Sequence, residues 1–246
     1  MPIRCAVLLA ALAFASNSTV AEPQRTPARI DQASVNVLYI GNSYTYFHRM
    51  PDTVSAMAGN VVSRRQLHAK VVASPGATLQ RHWESGAVQV AIQERNWDYV
   101  VLQEQSLLPL ENKERMYEFV RLLDKEIKLN GARTVLFLTW ARRDRPETQA
   151  ALDAAFGAIA AELGALVAPV GPAWQIARQR TPNLQLYTWD GSHPTPSGSY
   201  LTACVIYLTL QPLESQCPAP PSDGAAVQAI DGLRSAAAAA LAGQRP

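Results

Sequence analysis

The apolar residues of this chain form short runs that alternate with longer stretches where they recur at helical spacing. The runs predict strands at Val35–Ile40, Ala69–Ala73, Tyr99–Gln103, Thr134–Thr139 and Leu166–Val170. The stretches predict helices at Pro51–Arg64, Leu79–Arg95, Lys113–Asn130, Glu147–Leu163, Pro196–Gln211 and Gly224–Leu241. Strands separated by helices favour parallel βαβ units. The pattern predicts a single α/β domain over residues 34–246, a three-layer α/β/α arrangement with a mostly parallel five-stranded sheet.

In a doubly wound sheet of this kind, ligands bind outside the carboxyl ends of the strands, near the point where the strand order reverses. Ser43 follows the first predicted strand by three residues. We therefore expect Ser43 to lie at the ligand-binding edge of the sheet.

Composition narrows the classes of partner. The chain has 246 residues, 48% of them apolar, and 22 basic against 20 acidic residues, for a net charge of +2. A net charge this small does not create a broad electrostatic field that would attract nucleic acid or an anionic membrane surface. We therefore expect no nucleic-acid partner. A nucleotide-binding protein is a remote alternative, because no Gly-x-Gly-x-x-Gly follows a strand.

The N-terminal residues have the pattern of a secretory signal. Arg4 provides a basic region, and Val7–Ala15 is apolar; either Ala13–Ala15 or Thr19–Ala21 provides a small-residue cleavage site. The apolar stretch is about half of the roughly 20 residues that a membrane span needs. We expect residues 1–21 to be a signal peptide, residues 22–33 a flexible leader, and the mature protein to be secreted or periplasmic with no remaining membrane span.

Cleavage of the signal removes Cys5 and leaves Cys204 and Cys217. An even pair in an oxidising compartment favours a disulfide, with two unrelated free thiols as the alternative. Neither cysteine has the spacing of a zinc ligand, and no metal or cofactor is expected. The histidines outside the motif described next are scattered without an i, i+4 pair: His48, His68 and His82.

Two distant segments carry the candidate chemistry. The first is Gly41-Asn42-Ser43, and the second, Asp190-Gly191-Ser192-His193, lies near the end of the chain. A serine hydroxyl becomes a good nucleophile when an imidazole takes its proton, and a carboxylate fixes the tautomer of that imidazole. The alternatives are that Ser43 only caps a helix and that Asp190-Gly191 only makes a turn.

These two segments resemble the first and last sequence blocks of the SGNH, or GDSL-type, hydrolases. The resemblance spans residues 35–211 and is closest to a branch whose first block reads Gly-Asn-Ser-Tyr-Thr, as residues 41–45 do here. It implies a flavodoxin-like three-layer fold, a Ser43 nucleophile, a His193 base and a supporting Asp190.

The two middle blocks of the family imply an oxyanion hole. The resemblance assigns it to the backbone N–H groups of Ser43 and Gly76 and, where the family commonly has an Asn, to a Gln amide. The chain has no Asn there, so Gln105 or Gln103 is the candidate, with Gln105 preferred. Glu104 is expected to be a solvated charge at the end of a strand; the alternative is that it orients one of these groups or lines the pocket.

Together with the signal pattern, the resemblance implies an exported serine esterase that acts on a small-molecule or polysaccharide ester, with O-acetylated carbohydrate favoured. A lipid-ester hydrolase and a non-catalytic glycan- or lipid-binding module on the same scaffold are the alternatives. Seven residues are candidates for lining a cleft that accepts a sugar ring or an acidic substituent, although packing is the more common role of such tryptophans: Trp83, Trp140, Trp174, Trp189, His82, Arg142 and Arg143.

Overall fold

A computed structural model describes residues 34–59, 65–220, 227 and 229–243. The expected signal peptide and leader lie outside these residues. The strands are Val35–Gly41 (β1), Leu67–Ala73 (β2), Tyr99–Leu102 (β3), Arg133–Leu138 (β4) and Leu166–Pro169 (β5). The helices are Ser43–Tyr46 (α1), Met50–Gly59 (α2), Leu79–Glu84 (α3), Ala87–Gln93 (α4), Leu108–Glu111 (α5), Lys113–Leu129 (α6), Gln149–Leu163 (α7), Val170–Arg180 (α8), Pro196–Leu210 (α9) and Ile230–Ala242 (α10), with single 3₁₀ turns at Phe47–Arg49 and Pro146–Thr148.

The five strands form one parallel sheet in the order β2-β1-β3-β4-β5. This is the flavodoxin-like order, and it confirms the predicted three-layer α/β/α fold. The chain passes from β1 to β2 on one side and returns to β3 on the other, so the strand order reverses between β1 and β3. The segments that follow β1 and β3 therefore border the crevice where ligands bind in such sheets.

Alternate side chains of each strand point to opposite faces of the sheet, and helices cover both faces at the largely buried strands β1, β3 and β4. In β1, Val35, Val37 and Tyr39 pack in a core with residues of α2, α8, α9 and α10. Leu38 and Ile40 face the other way, into a core with residues of α3, α4, α6 and α7. Burial of each large apolar side chain contributes about 1.5–3 kcal/mol, so both helical layers stabilise the sheet that carries the site.

The short helices α1 and α5 were not predicted, and two longer helical regions also differ from the sequence prediction. The single helix predicted at Leu79–Arg95 is divided into α3 and α4 at Gly86, whose φ of 73° is a left-handed conformation that breaks a helix. Helix α8 was not predicted, because the Gly171-Pro172 pair is typical of a turn. Pro172 instead lies in the first turn, where proline fits, and a Cβ on Gly171 would lie 2.3 Å from the carbonyl oxygen of Thr139.

The predicted disulfide between Cys204 and Cys217 is present. It links the buried helix α9 to the segment that follows it, and Arg234 of α10 donates from Nε to the carbonyl oxygen of Cys217 at 2.7 Å. Within the described ranges, no helix has the length and apolar composition needed to cross a bilayer.

Candidate active site

Ser43 lies at the first position of α1, immediately beyond β1. Asn42 caps this helix, since its Oδ1 accepts the backbone N–H of Tyr44 at 3.1 Å. The preceding residue must be glycine, because a Cβ on Gly41 would lie 2.4 Å from Thr45 Oγ1 and 2.6 Å from the Gln103 side-chain oxygen. The tight exit from β1 therefore holds Ser43 in a buried position, 9% exposed, at the carboxyl edge of the sheet.

The structure brings the two distant motif segments together. Ser43 Oγ lies 2.8 Å from His193 Nε2, although 150 residues separate them in the chain. On the other side of the ring, His193 Nδ1 lies 2.5 Å from Asp190 Oδ2. A hydroxyl, an imidazole and a carboxylate thus form a continuous line of hydrogen bonds, the geometry by which a serine is activated in acyl-transfer enzymes.

Asp190 also organises the loop that carries His193. Its Oδ1 accepts the backbone N–H groups of Ser192 at 2.8 Å and His193 at 2.9 Å, and the Thr188 hydroxyl at 2.8 Å. The turn needs Gly191, whose φ is 68°. Partial burial alone would raise the pKa of Asp190, but the hydrogen bonds from His193, Ser192 and Thr188 outweigh it and lower the pKa well below its usual value.

Two aromatic rings, which the sequence reasoning did not identify, hold the imidazole. Phe47 stacks on His193 with ring centroids 4.6 Å apart, and Tyr44 contacts it edge-on at 5.7 Å. Tyr44 is itself buried and stacked on Trp140, with ring centroids 4.4 Å apart. The sequence feature that could have identified both rings is their closeness to Ser43, which they follow by one and four residues.

Gly76 lies in the loop after β2 and lines the same cavity as Ser43. Its φ is 63°, and the Asn42 side chain donates to the carbonyl oxygen of the next residue, Ala77, at 3.0 Å. Among the described residues, neither the Ser43 N–H nor the Gly76 N–H has a hydrogen-bond acceptor. Both backbone donors of the expected oxyanion hole are therefore unused.

The two candidate glutamines have different environments. Gln103 is fully buried; its side-chain oxygen accepts from Asn42 N at 2.8 Å and Thr45 Oγ1 at 3.0 Å, and its Nε2 donates to the carbonyl oxygen of Glu104 at 2.5 Å. Gln103 therefore holds the turn that carries Ser43 through the residues on either side of it, and it does not line the cavity. Gln105 does line it, and its Oε1 accepts from the backbone of Leu107 and Leu108. The geometry therefore favours Gln105 as the amide donor.

The expectation that Glu104 is a solvated charge is wrong. Glu104 is 1% exposed, and its carboxylate accepts the backbone N–H of Gln105 at 2.6 Å and of Leu79, at the start of α3, at 3.2 Å. Burial raises the pKa of Glu104 to about 7, although these two hydrogen bonds oppose the shift. Glu104 thus connects the loop after β2 to the loop after β3.

This burial predicts a change of stability with pH. An unfolded Glu104 ionises near pH 4.5 and the folded one near 7, so the folded state binds more protons between these values and the free energy of unfolding falls as pH rises through that window. Glu104→Gln removes this pH-dependent contribution to the free energy of unfolding. We expect the stability of the variant relative to the native protein to rise by about 3 kcal/mol between pH 4.5 and pH 8.

Urea unfolding followed by tryptophan fluorescence at several pH values measures this difference. His82, whose pKa burial lowers, acts in the opposite direction, but it is present in both proteins and cancels. Glu111→Gln, which removes an exposed carboxylate from α5, controls for the change of net charge. A difference that stays constant with pH would contradict the assignment.

The cavity beside Ser43 and His193 has a volume of about 290 Å³. Pro75, Gly76, Gln105, Ser106, Arg142 and Ser192 are among its lining residues. None of the four tryptophans proposed from the sequence lines it. Trp140 and Trp174 are buried and stacked on each other, Trp83 packs against a core, and Trp189 is 90% exposed. In the described part of the chain, no cluster of His, Cys, Asp and Glu is arranged to hold a metal ion.

Comparison with solved structures identifies the fold family. A protein described as a candidate SGNH hydrolase from Slackia heliotrinireducens aligns over 72% of this chain and 99% of its own, with a TM-score of 0.62 and 29% identity. A DUF4886 family protein from Bacteroides uniformis aligns over 85% of this chain and 95% of its own, with a TM-score of 0.70 and 18% identity. The resemblance to the SGNH/GDSL-type hydrolases is confirmed.

Other solved neighbours share the fold of this chain at lower identity. The esterase EstA from Pseudoalteromonas sp., described as inhibited by monoethylphosphonate, aligns over 72% of this chain and 97% of its own, with a TM-score of 0.55 and 14% identity. No protein-family model matches the chain, and no curated protein does. The closer relation to a Gly-Asn-Ser-Tyr-Thr branch stays a prediction.

Proposed function

We propose that this chain is an exported serine esterase that hydrolyses a carboxylic ester through an acyl-enzyme on Ser43. One observation carries the proposal: the line of hydrogen bonds from Ser43 through His193 to Asp190 opens on a cavity that also presents unused N–H donors. Among the solved neighbours, an esterase has the same fold. The capping role does not explain Ser43, because Asn42 is the cap of α1 and Ser43 is the first residue of the helix.

The first half of the reaction uses the groups in the order in which they lie. His193 Nε2 takes the proton of Ser43 Oγ as the oxygen attacks the ester carbonyl carbon, and Asp190 stabilises the resulting imidazolium. The carbonyl oxygen becomes an oxyanion, for which Ser43 N–H, Gly76 N–H and the Gln105 amide are the donors. The C–O bond to the alcohol then breaks, and His193 returns the proton to the leaving alcohol.

The second half releases the acid. Water gives a proton to His193 Nε2 and attacks the acyl carbon, and collapse of the second tetrahedral intermediate breaks the bond to Ser43 Oγ as His193 returns the proton to it. A cavity of about 290 Å³ suits a compact acyl group better than a long chain. This favours a short-chain ester, including the O-acetyl esters of carbohydrates, over a long-chain lipid ester.

Export is part of the proposal. It is supported by the signal pattern of residues 1–21 and by the disulfide between Cys204 and Cys217, since disulfides persist in oxidising compartments. The proposed location is therefore secreted or periplasmic.

Covalent labelling tests the proposal directly. We expect a fluorophosphonate probe to label the folded protein once, on the peptide that contains Ser43, as read by mass spectrometry. p-Nitrophenyl acetate and butyrate should be hydrolysed with higher kcat/KM than the octanoate. Folded protein that is neither labelled nor active on any of these esters would instead support a non-catalytic binding module.

A further inference from the structure

Arg142 lines the cavity beside Ser43 and His193 and is half-buried. Its Nη2 donates to Ser106 Oγ at 3.3 Å, but its buried Nε has no hydrogen-bond partner among the residues that the structure describes. No carboxylate in the described ranges forms an ion pair with it. A guanidinium has five N–H donors and a permanent charge, so most of the binding capacity of Arg142 is unused.

The next residue, Arg143, shows what a structural arginine does in this loop. Its Nη1 and Nη2 donate to the carbonyl oxygens of Thr188 at 3.4 Å and Trp189 at 3.0 Å, and its backbone N–H donates to Gly191 O at 2.9 Å. Arg143 therefore fastens the loop that carries His193. Arg142 makes none of these contacts, and a role in holding this loop does not explain its position.

The backbone that carries Arg142 is fixed. The N–H of Ala141 donates to Gln149 Oε1 at 2.7 Å, and the carbonyl oxygen of Ala141 accepts the Tyr187 hydroxyl at 2.7 Å. Just before it, Trp140 Nε1 donates to the carbonyl oxygen of Ser192 at 2.9 Å. The guanidinium thus extends from a rigid platform after β4, which lowers the entropy that must be lost when it binds a ligand.

Hydroxyl groups lie close to the guanidinium. Ser106 accepts from Arg142, and the Tyr44 hydroxyl shares a 2.6 Å hydrogen bond with Ser192 Oγ. Burial raises the pKa of Tyr44, while the Ser192 and Ser106 hydroxyls and the charge of Arg142 partly oppose that rise. The charge of Arg142 therefore acts electrostatically on Tyr44, which lies in the wall of the cavity. A cation hydrogen-bonded to one hydroxyl, in a cavity that other hydroxyls also line, suits an anionic ligand.

We propose that Arg142, with the hydroxyl of Ser106, forms an anion-binding subsite, and that the ester substrate carries a carboxylate near its ester group. This inference rests on the proposed esterase function. The planar fork of the guanidinium matches a carboxylate in a bidentate pair, and the half-buried position reduces the competition from water. The subsite would select acidic esters over neutral ones of the same size.

Matched pairs of esters test the subsite. 4-Nitrophenyl succinate carries a carboxylate on the acyl side, and its methyl ester is the neutral match; 3-acetoxybenzoate and its methyl ester do the same for the alcohol side. We expect the native enzyme to prefer the acid member of at least one pair, and Arg142→Gln to lower kcat/KM for that member by about 10- to 100-fold. The neutral member should change less than about 3-fold, and Arg142→Lys should retain part of the preference.

Arg145→Gln is the control, because it removes an exposed arginine from the same loop and causes the same change of net charge. Equal losses on the acid and neutral esters would overturn the subsite and indicate that Arg142 acts on the oxyanion or the fold. Absence of any preference for the acids in the native enzyme would overturn it as well.

A binding measurement separates this inference from the proposed function. Calorimetric titration with succinate and with 3-hydroxybenzoate at low salt needs no turnover. Binding by the native protein and by Arg145→Gln, but not by Arg142→Gln, supports the subsite even if no ester is hydrolysed. Equal binding, or none, by all three proteins overturns it.

Discussion

Replacement of Ser43 by alanine should lower kcat on p-nitrophenyl acetate by about 10⁴- to 10⁶-fold and abolish labelling by a fluorophosphonate. The reason is that Ser43 Oγ is the group that His193 can deprotonate, at 2.8 Å, and no acyl-enzyme forms without it. KM should change little, since the lost oxygen takes part in bond formation more than in substrate binding. Initial rates at saturating ester measure the effect.

The same rate measurement shows whether Ser43 and His193 act together in one catalytic step or contribute independently. His193→Ala should be about as damaging as Ser43→Ala, and the double variant should be little worse than either, because residues that act together in one step are strongly non-additive. Ser235→Ala, which truncates an exposed serine on α10, should keep native rates. Ser43→Ala protein with native kcat would end the esterase proposal.

The meeting of Ser43 and His193 was predictable because it follows from topology. A parallel sheet places the carboxyl ends of its strands on one edge, and the Gly41-Asn42-Ser43 turn follows the first of them. The loop from Asp190 to His193 is self-contained: one carboxylate makes all its contacts within six residues, from Thr188 to His193. Local chemistry of this kind can be read from sequence.

The sequence analysis preferred Gln105 over Gln103 but could not supply the structural reason, because that reason depends on strand phase. Alternate residues leaving β3 point to opposite sides only while the chain stays extended, and the chain turns at Gln105 to begin the approach to α5. Gln103 lies beneath the Ser43 turn because Gly41 leaves room for its side chain. That fit involves residues 62 positions apart, and no local pattern encodes it.

Glu104 and Arg142 show a second limit of sequence reasoning. A charged residue at the end of a strand is usually solvated, but Glu104 is covered by the start of α3 and accepts the Leu79 N–H. Arg142 and Arg143 are adjacent and identical in type, yet one fastens the His193 loop and the other lines the cavity. Their roles differ because neighbouring side chains leave the backbone in different directions, which only the folded chain defines.

Asp190→Asn should lower kcat by about 10⁴-fold while leaving the loop folded. The asparagine oxygen can still accept from Ser192 N–H, His193 N–H and the Thr188 hydroxyl, but its amide presents a donor to His193 Nδ1. The imidazole then holds its proton on Nε2, where it cannot accept the proton of Ser43. The native carboxylate does the opposite, and its lowered pKa keeps it ionised through neutral and mildly acidic pH.

Stability and activity should respond to this substitution in different pH windows. Because the folded pKa of Asp190 is depressed, its contribution to stability is present above its unfolded pKa and is lost as pH falls through the folded pKa, so the native and variant proteins should converge in stability only in acid. The loss of kcat, in contrast, should be present throughout the neutral range, where the tautomer of His193 decides the rate. Asp144→Asn, which neutralises an exposed carboxylate in the Arg142 loop, controls for charge. Rates for Asp190→Asn within about 10-fold of native would mean that the carboxylate orients the loop but does not support the base.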